Sequence, residues 1–137
     1  MINWFKKQWF VLPLQINHGI EIGAALAYSG HYKALKDPEV KKIALEELDH
    51  MRHLDVMLAY YDTRHCTVID FTFLIIGIIV SKLCLIAPEF LLTKVALSLE
   101  IFAMWSYKKL ADRYPDHYNI LLHMHDTELK HKEYFLR

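Results

Sequence analysis

The sequence is poor in the features that mark several common classes of protein. Its only two cysteines, Cys66 and Cys84, form no Cys-x-x-Cys pair, so we interpret them as buried thiols in a reducing compartment, not a disulfide framework. Acidic and basic residues balance at 16 each without a block of either sign. This excludes the usual electrostatic footprint of a nucleic-acid-binding protein, and no Gly-rich dinucleotide motif is present.

The N-terminus also lacks the long apolar run that defines a cleaved signal peptide, so we expect a cytoplasmic protein. With 137 residues, 54% of them hydrophobic, the chain is long enough to bury the core of one domain, 1–137. Segment 1–13 combines Trp and Phe with two lysines and ends at Pro13. It is predicted to be an amphipathic segment, either packed on the fold as a cap or lying at a membrane interface.

Glutamate and histidine recur in a fixed order along the chain. Residues 47–50 and 128–131 both have the pattern Glu-x-x-His, which places a carboxylate and an imidazole one turn apart on one helix face. A single glutamate precedes each motif, by 26 residues in the first case and 28 in the second. This is the ligand inventory of a di-metal carboxylate site in a four-helix bundle. The candidate metal ligands are Glu21, Glu47, His50, Glu100, Glu128 and His131.

Helical periodicity places all six candidates on the inner faces of four predicted helices, near 14–35, 38–64, 88–114 and 117–135. The inner positions step by three and four, as in Ile43, Glu47, His50, Leu54, Met57 and Tyr61. Glu46 lies about 100° around the axis from Glu47 and is expected outside the site. Each motif alone could consist of ordinary glutamates and histidines on a helix surface. All six residues fall on inner faces, however, in the order single Glu, Glu-x-x-His, single Glu, Glu-x-x-His, and this favours a metal site.

Four carboxylates in one core require compensating charge, because burying an unpaired charge costs several kcal/mol. Two divalent cations supply it, and mixed oxygen and nitrogen ligands favour iron, with manganese as the alternative. Tyr28 and Tyr107 lie on the same inner faces and are the candidate catalytic residues, with core packing as the competing interpretation. His18 and three other histidines near the motifs are candidate proton carriers or ordinary structural residues.

Segment 68–87 is almost continuously apolar and is predicted to form a crossover helix between bundle helices 2 and 3. Asp70 and Lys82 interrupt it, so it falls short of the about 20 apolar residues of a membrane span. We therefore favour a helix that packs on the bundle or enters one leaflet of a membrane, and we rank a transmembrane span below both. A second subunit, lipid or substrate would have to cover its apolar face, so a homo-oligomer is an open alternative.

These motifs resemble those of the demethoxyubiquinone hydroxylases, a membrane-associated di-iron family with a ferritin-like fold. Residues 17–24, Asn-His-Gly-Ile-Glu-Ile-Gly-Ala, are similar to the family's Asp-His-Ala-Gly-Glu-Tyr-Gly-Ala. Residues 47–50 resemble its Glu-Lys-Asp-His, and residues 126–131 resemble its Asp-Glu-Glu-Leu-Glu-His. The apolar segment also falls where the family has a membrane-facing helix. Ser106 departs from the pattern, because the family has a histidine at that position.

The resemblance implies an all-α, ferritin-like four-helix bundle with an apolar crossover helix. It further implies a di-iron monooxygenase of ubiquinone biosynthesis that activates O2 to hydroxylate a quinone-type lipid, with NADH as the reductant. The protein would then be cytoplasmic and peripherally associated with the membrane. Two alternatives share the ligand set: a ferritin-like di-iron oxidase or peroxidase, and a non-enzymatic metal-binding module at the membrane surface.

Overall fold

The computed structural model describes residues 2–137, and all regular secondary structure in this range is helical. The helices are α1 (Ile2–Leu35), α2 (Pro38–Tyr60), α3 (Thr67–Leu83), α4 (Glu89–Arg113), the short 3-10 helix η1 (Pro115–His117) and α5 (Tyr118–Phe135). Met1, where the predicted segment 1–13 begins, lies outside the described residues. The chain divides after Ile86 into two compact units, one containing α1 to α3 and the other α4 to α5. The predicted all-α class is confirmed.

The first helix is longer than predicted, and the expected stop at Pro13 is wrong. α1 continues through Pro13 for 34 residues, a length of roughly 50 Å. A proline inside a helix removes one main-chain donor, but the turns on both sides can persist where packing holds them. Val11 and Leu14 are fully buried on either side of Pro13, and the Gln15 Nε2 donates to the Arg64 carbonyl at 2.7 Å.

The second helix begins where the Asp37-Pro38 pair predicts. The Asp37 carboxylate accepts a hydrogen bond from the Glu39 N–H at 2.9 Å, and Pro38 occupies the first turn, where its missing N–H has no cost. α2 ends at Tyr60, four residues before the predicted end. A positive φ of 52° at Asp62 then turns the chain into the connection 61–66, which leads to α3.

All four glycines of the sequence lie where α1 packs against α3. A Cβ on Gly77 would approach the Gly23 Cα at 2.9 Å, and a Cβ on Gly30 would meet the Ser81 Cα at 2.5 Å. The missing side chains therefore let the two backbones approach closely. The glycine contacts follow the same order along both helices, so α3 runs parallel to α1.

Gly30→Ala should destabilise the protein by about 1–3 kcal/mol, because the new methyl group overpacks a backbone contact that cannot move aside like a flexible side chain. Urea unfolding followed by circular dichroism measures this change. Ser98→Ala, at an exposed position of α4, is the control and should change the unfolding midpoint little. Equal stability of Gly30→Ala and the wild type would contradict the close α1–α3 contact.

The second unit is a helical hairpin. α4 follows Pro88 and ends at Arg113, directly before Tyr114-Pro115, where the sequence predicts its end. Its buried positions recur every three or four residues, and those of α5 do the same. The residues that α4 buries include Leu92, Ala96, Glu100, Tyr107 and Leu110, and those of α5 are Leu121, Met124, Glu128, His131 and Phe135.

The apolar segment forms α3, but the helix ends at Leu83 and not at residue 87 as predicted. Gly77 is its only buried residue, and most of its large apolar side chains are exposed. Within residues 2–137, one helix is long and apolar enough to cross a membrane, and it is α4, Glu89–Arg113. Core helices of soluble proteins can have the same length and composition.

Candidate metal centre

The first unit buries three of the predicted ligands together. Glu21 lies in the middle of α1, and Glu47 and His50 lie one turn apart on α2, all at most 3% exposed. Each offers one ligand atom, and these atoms lie within 4.8 Å of one another. The His50 Nδ1 is 3.6 Å from the Glu47 Oε2. We call these three residues the first triad.

The second unit repeats this arrangement with Glu100 on α4 and with Glu128 and His131 on α5, the second triad. All three side chains are buried, and their ligand atoms also lie within 4.8 Å of one another. The His131 Nδ1 lies 3.2 Å from the Glu128 Oε2 and 3.4 Å from the Glu100 Oε2. The two units therefore each carry two buried carboxylates and one buried imidazole, as the sequence repeat predicts.

The donor chemistry of each triad fits one divalent cation. Two ionised carboxylates and a neutral imidazole carry a charge of −2, and carboxylates at such short separation repel each other in a low dielectric. A divalent ion cancels that charge, and an O/N donor set without thiolate suits Fe²⁺ or Mn²⁺. Buried Glu and His groups that could hold a metal ion are thus present in both units.

Acidic residues close in sequence to the ligands lie outside the two triads, as expected from their positions around the helix axes. Glu46 lies near the surface, 3.8 Å from the Lys42 Nζ, and belongs to neither triad. Asp49 and Asp126 are the nearest acidic neighbours in sequence that could orient the ligand histidines. Both are exposed, and Asp49 instead accepts a hydrogen bond from Arg52 at 2.6 Å. Asp49 and Asp126 are therefore surface acids.

The candidate catalytic tyrosines extend the repeat. Tyr28 follows Glu21 by seven residues and Tyr107 follows Glu100 by seven, two helical turns in both cases. Both tyrosines are buried, and the Tyr28 ring stacks on His31 with the ring centroids 6.5 Å apart. Ser106 is buried as well. Burial fits both interpretations of the tyrosines, so their catalytic role stays a prediction.

The two cysteines differ in environment. Cys84 is buried, its Sγ lies 3.8 Å from the Ala27 carbonyl oxygen, and burial raises the pKa of its thiol. Cys66 precedes α3 and is only partly buried, so the expectation of two buried thiols is correct for Cys84 and wrong for Cys66. Both cysteines are free, so no disulfide joins them.

One further cluster was not predicted. His18, His65 and Asp70 bring three potential ligand atoms within 4.8 Å of one another in the first unit, and Asp55 contacts both histidines. From the sequence alone, His18 is predicted to be a proton carrier or an ordinary structural residue. No regular spacing connects residues 18, 55, 65 and 70, since they lie on three helices and a connection, so periodicity could not identify them.

Comparison with known proteins adds no relative. No protein-family model, no curated protein and no solved structure matches the chain. The chemistry of the triads and the exposed apolar surfaces therefore carry the functional argument.

Proposed function

We propose that the two triads combine into one di-metal centre, in a ferritin-like four-helix bundle, and that the protein is a di-iron monooxygenase acting on a quinone-type lipid. The observation that carries this proposal is the duplicated buried triad, a single glutamate followed by Glu-x-x-His, present once in each unit. Four carboxylates and two histidines form the full ligand set of such a centre, and two divalent cations balance the four negative charges.

The residues of the chain would bind, orient and shield the ions. Glu47 and Glu128 stand at the first position of the Glu-x-x-His motifs and are our candidates for carboxylates that bridge both ions. When loaded, a pair of Fe²⁺ ions supplies the O2 chemistry that hydroxylation requires. Apolar side chains one turn from these glutamates, Ile43 and Met124 among them, are buried and keep bulk water away.

Tyr107 would act on the substrate side of the centre. Its side chain is fully buried on the same face of α4 as Glu100, and its hydroxyl can hold or transfer a proton. Ser106, next to it, replaces the histidine of the resembling family with a smaller hydroxyl. Tyr28 has the corresponding position in the first unit. NADH as the electron source and a homo-oligomeric state stay predictions.

A lipid substrate would reach the centre from a membrane surface. α3 has a row of exposed apolar residues and only 17 residues in total, so it suits insertion along the surface better than a span of about 20 residues. The start of α1 adds Trp4 and Trp9, both exposed, together with Lys6 and Lys7. The exposed apolar residues of α3 are Val68, Phe71, Ile75, Ile76, Ile78, Ile79 and Leu83.

The exposed surface of α3 favours this function over a soluble di-iron oxidase or peroxidase. Such an enzyme uses the same six ligands but has no need of an apolar surface of this size, which would promote aggregation in water. The non-enzymatic membrane-surface module shares the surface and the ligands. It differs in its chemistry, because its metal would not react with O2.

Anaerobic loading with Fe²⁺ should give an exchange-coupled pair of irons per chain, and O2 should then produce a transient visible absorption. Mössbauer spectroscopy measures the coupling, which requires the two ions to share bridging ligands. Faster decay of the absorption in the presence of a short-chain quinone, with a hydroxylated product, would identify the oxygenase.

Other outcomes separate the alternatives. Two uncoupled irons would contradict a joint centre. Coupled irons that turn over peroxide without acting on a quinone would favour the oxidase or peroxidase. A stable metal pair without O2 reactivity would favour the non-enzymatic module.

A further inference from the structure

A second group of potential metal ligands lies in the first unit, apart from the triads. His18 on α1 and Asp70 in the first turn of α3 contact each other, with the Nδ1 2.9 Å from the Oδ1. His65, in the connection 61–66, stacks on His18 with ring centroids 5.0 Å apart and an interplanar angle of 8°. Asp55 on α2 completes the group. We call these four residues the His18 cluster.

Each carboxylate of the His18 cluster contacts both imidazoles, on opposite edges of the stacked pair. Asp55 lies 3.1 Å from the His18 Nε2 and 3.4 Å from the His65 Nδ1. Asp70 lies 2.9 Å from the His18 Nδ1 and 4.0 Å from the His65 Nε2. All four ring nitrogens therefore face a carboxylate.

Two neutral imidazoles cannot satisfy this arrangement. A neutral ring carries one N–H, so one nitrogen of each histidine would direct a lone pair at a carboxylate. The His18 Nε2 shows the effect, since it is buried and its contact with Asp55 is not aligned as a hydrogen bond. Protonating both rings would put two positive charges face to face at 5.0 Å.

We propose that the His18 cluster binds one divalent transition-metal ion through the His18 Nδ1, the His65 Nε2 and Asp70. A ring nitrogen binds a metal in the plane of its ring, so the half-exposed His65 ring would turn out of the parallel stack until the His18 and His65 lone pairs at the Asp70 edge meet on the ion. The opposite nitrogens, the His18 Nε2 and the His65 Nδ1, then both carry hydrogen and donate to Asp55. The carboxylate of Asp55 becomes the outer partner that fixes the orientation of metal-bound histidines.

Charge and access agree with this assignment. Asp55 and Asp70 together carry a charge of −2, which one divalent ion cancels. Two histidines and one carboxylate are a common ligand set for Zn²⁺ and Fe²⁺, and they leave a position for water. His18 is 3% exposed whereas His65 is 49% exposed, so solvent reaches the cluster from the side of the connection.

A bound ion would fasten the start of the apolar helix. Its ligands come from α1, from the connection 61–66 and from α3, and Asp55 adds α2. The ion would therefore tie the N-terminus of α3 to the other two helices of the first unit. This role is independent of the proposed oxygenase, and the cluster can bind metal whether or not the triads form a joint centre.

The test is Zn²⁺ binding by the full chain. Equilibrium dialysis followed by elemental analysis should show one ion per chain fewer in His65→Ala and in Asp70→Asn than in the wild type. Asp55→Asn should keep the ion but weaken binding about 10- to 100-fold, as expected for a positioning residue. His125→Ala, a histidine of α5 outside all three groups, is the control and should bind as many ions as the wild type.

A second measurement uses the unmodified chain and does not depend on the folding of a variant. Nitrogen-15 spectra of the histidine rings should place Zn²⁺ on the His18 Nδ1 and the His65 Nε2, with hydrogen on the opposite nitrogens. A His18 Nδ1 that keeps its hydrogen in excess Zn²⁺ would overturn the proposal. An unchanged ion count in both His65→Ala and Asp70→Asn would also overturn it, whatever the triads bind.

Discussion

Glu128→Ala should remove the coupled metal pair, whereas Glu46→Ala should leave it intact. Glu128 is fully buried in the second triad, and Glu46 lies near the surface beside Lys42 on α2. Changing even an outer partner of a ligand costs about 10- to 100-fold in metal affinity, so we expect more than about 100-fold from the loss of a bridging carboxylate. Glu47→Ala should have the same effect.

The loss of a ligand carboxylate should weaken metal binding but stabilise the metal-free protein. Removing one of several buried carboxylates relieves desolvation and repulsion, so Glu128→Gln should raise the urea midpoint of the apo form while it abolishes the metal pair. This pair of measurements distinguishes a metal ligand from a packing residue, because truncating a packing residue lowers stability with or without metal. Equal metal loss in the Glu46, Glu47 and Glu128 variants would show that the inner face of α2 is wrongly assigned.

The double variant Ile76→Glu/Ile79→Glu should no longer float with liposomes, whereas the wild type should. Both isoleucines are exposed and lie one turn apart on α3, so in a membrane-bound state their side chains would leave water. Full burial of an isoleucine contributes about 1.5–3 kcal/mol, so losing two of them lowers partitioning by about 100-fold or more. Flotation through a density gradient with neutral phospholipid vesicles measures this effect.

Val56→Glu is the matched control, because Val56 is 69% exposed but lies on α2. It should float as the wild type does. Failure of the wild type to float would remove the membrane from the proposed function but leave the metal centre untouched. Retained flotation of the α3 variant would move the lipid contact to another surface, such as the aromatic start of α1.

The inner faces of the helices could be predicted because the ligands follow the same period as the core. Glu21, for example, falls between Leu14 and Tyr28 on one face of α1, and all three are buried. Helix ends next to Asp37-Pro38 and Tyr114-Pro115 were also correct, since local capping and proline geometry determine them. How the two triads are arranged relative to each other is a tertiary property that the motifs alone do not fix.

The errors have physical causes of the same kind. Pro13 has the sequence signature of a helix end, but packing of its neighbours, Val11 and Leu14, outweighs one missing hydrogen bond. The end of α3 was misplaced because apolar residues continue beyond Leu83, and hydropathy does not register where a chain turns. The His18 cluster could not be predicted from the sequence, because its residues come together only when three helices and a connection have packed.

The uninterrupted course of α1 limits how this chain can change in length during evolution. An inserted residue between Phe10 and Glu21 would rotate everything before it by about 100° relative to the first triad, turning the aromatic start to another side. Connection 61–66 could absorb the same insertion more easily, as could the turn at 84–88. We therefore expect related sequences to keep their first 35 residues in register and to gain or lose residues at those two places.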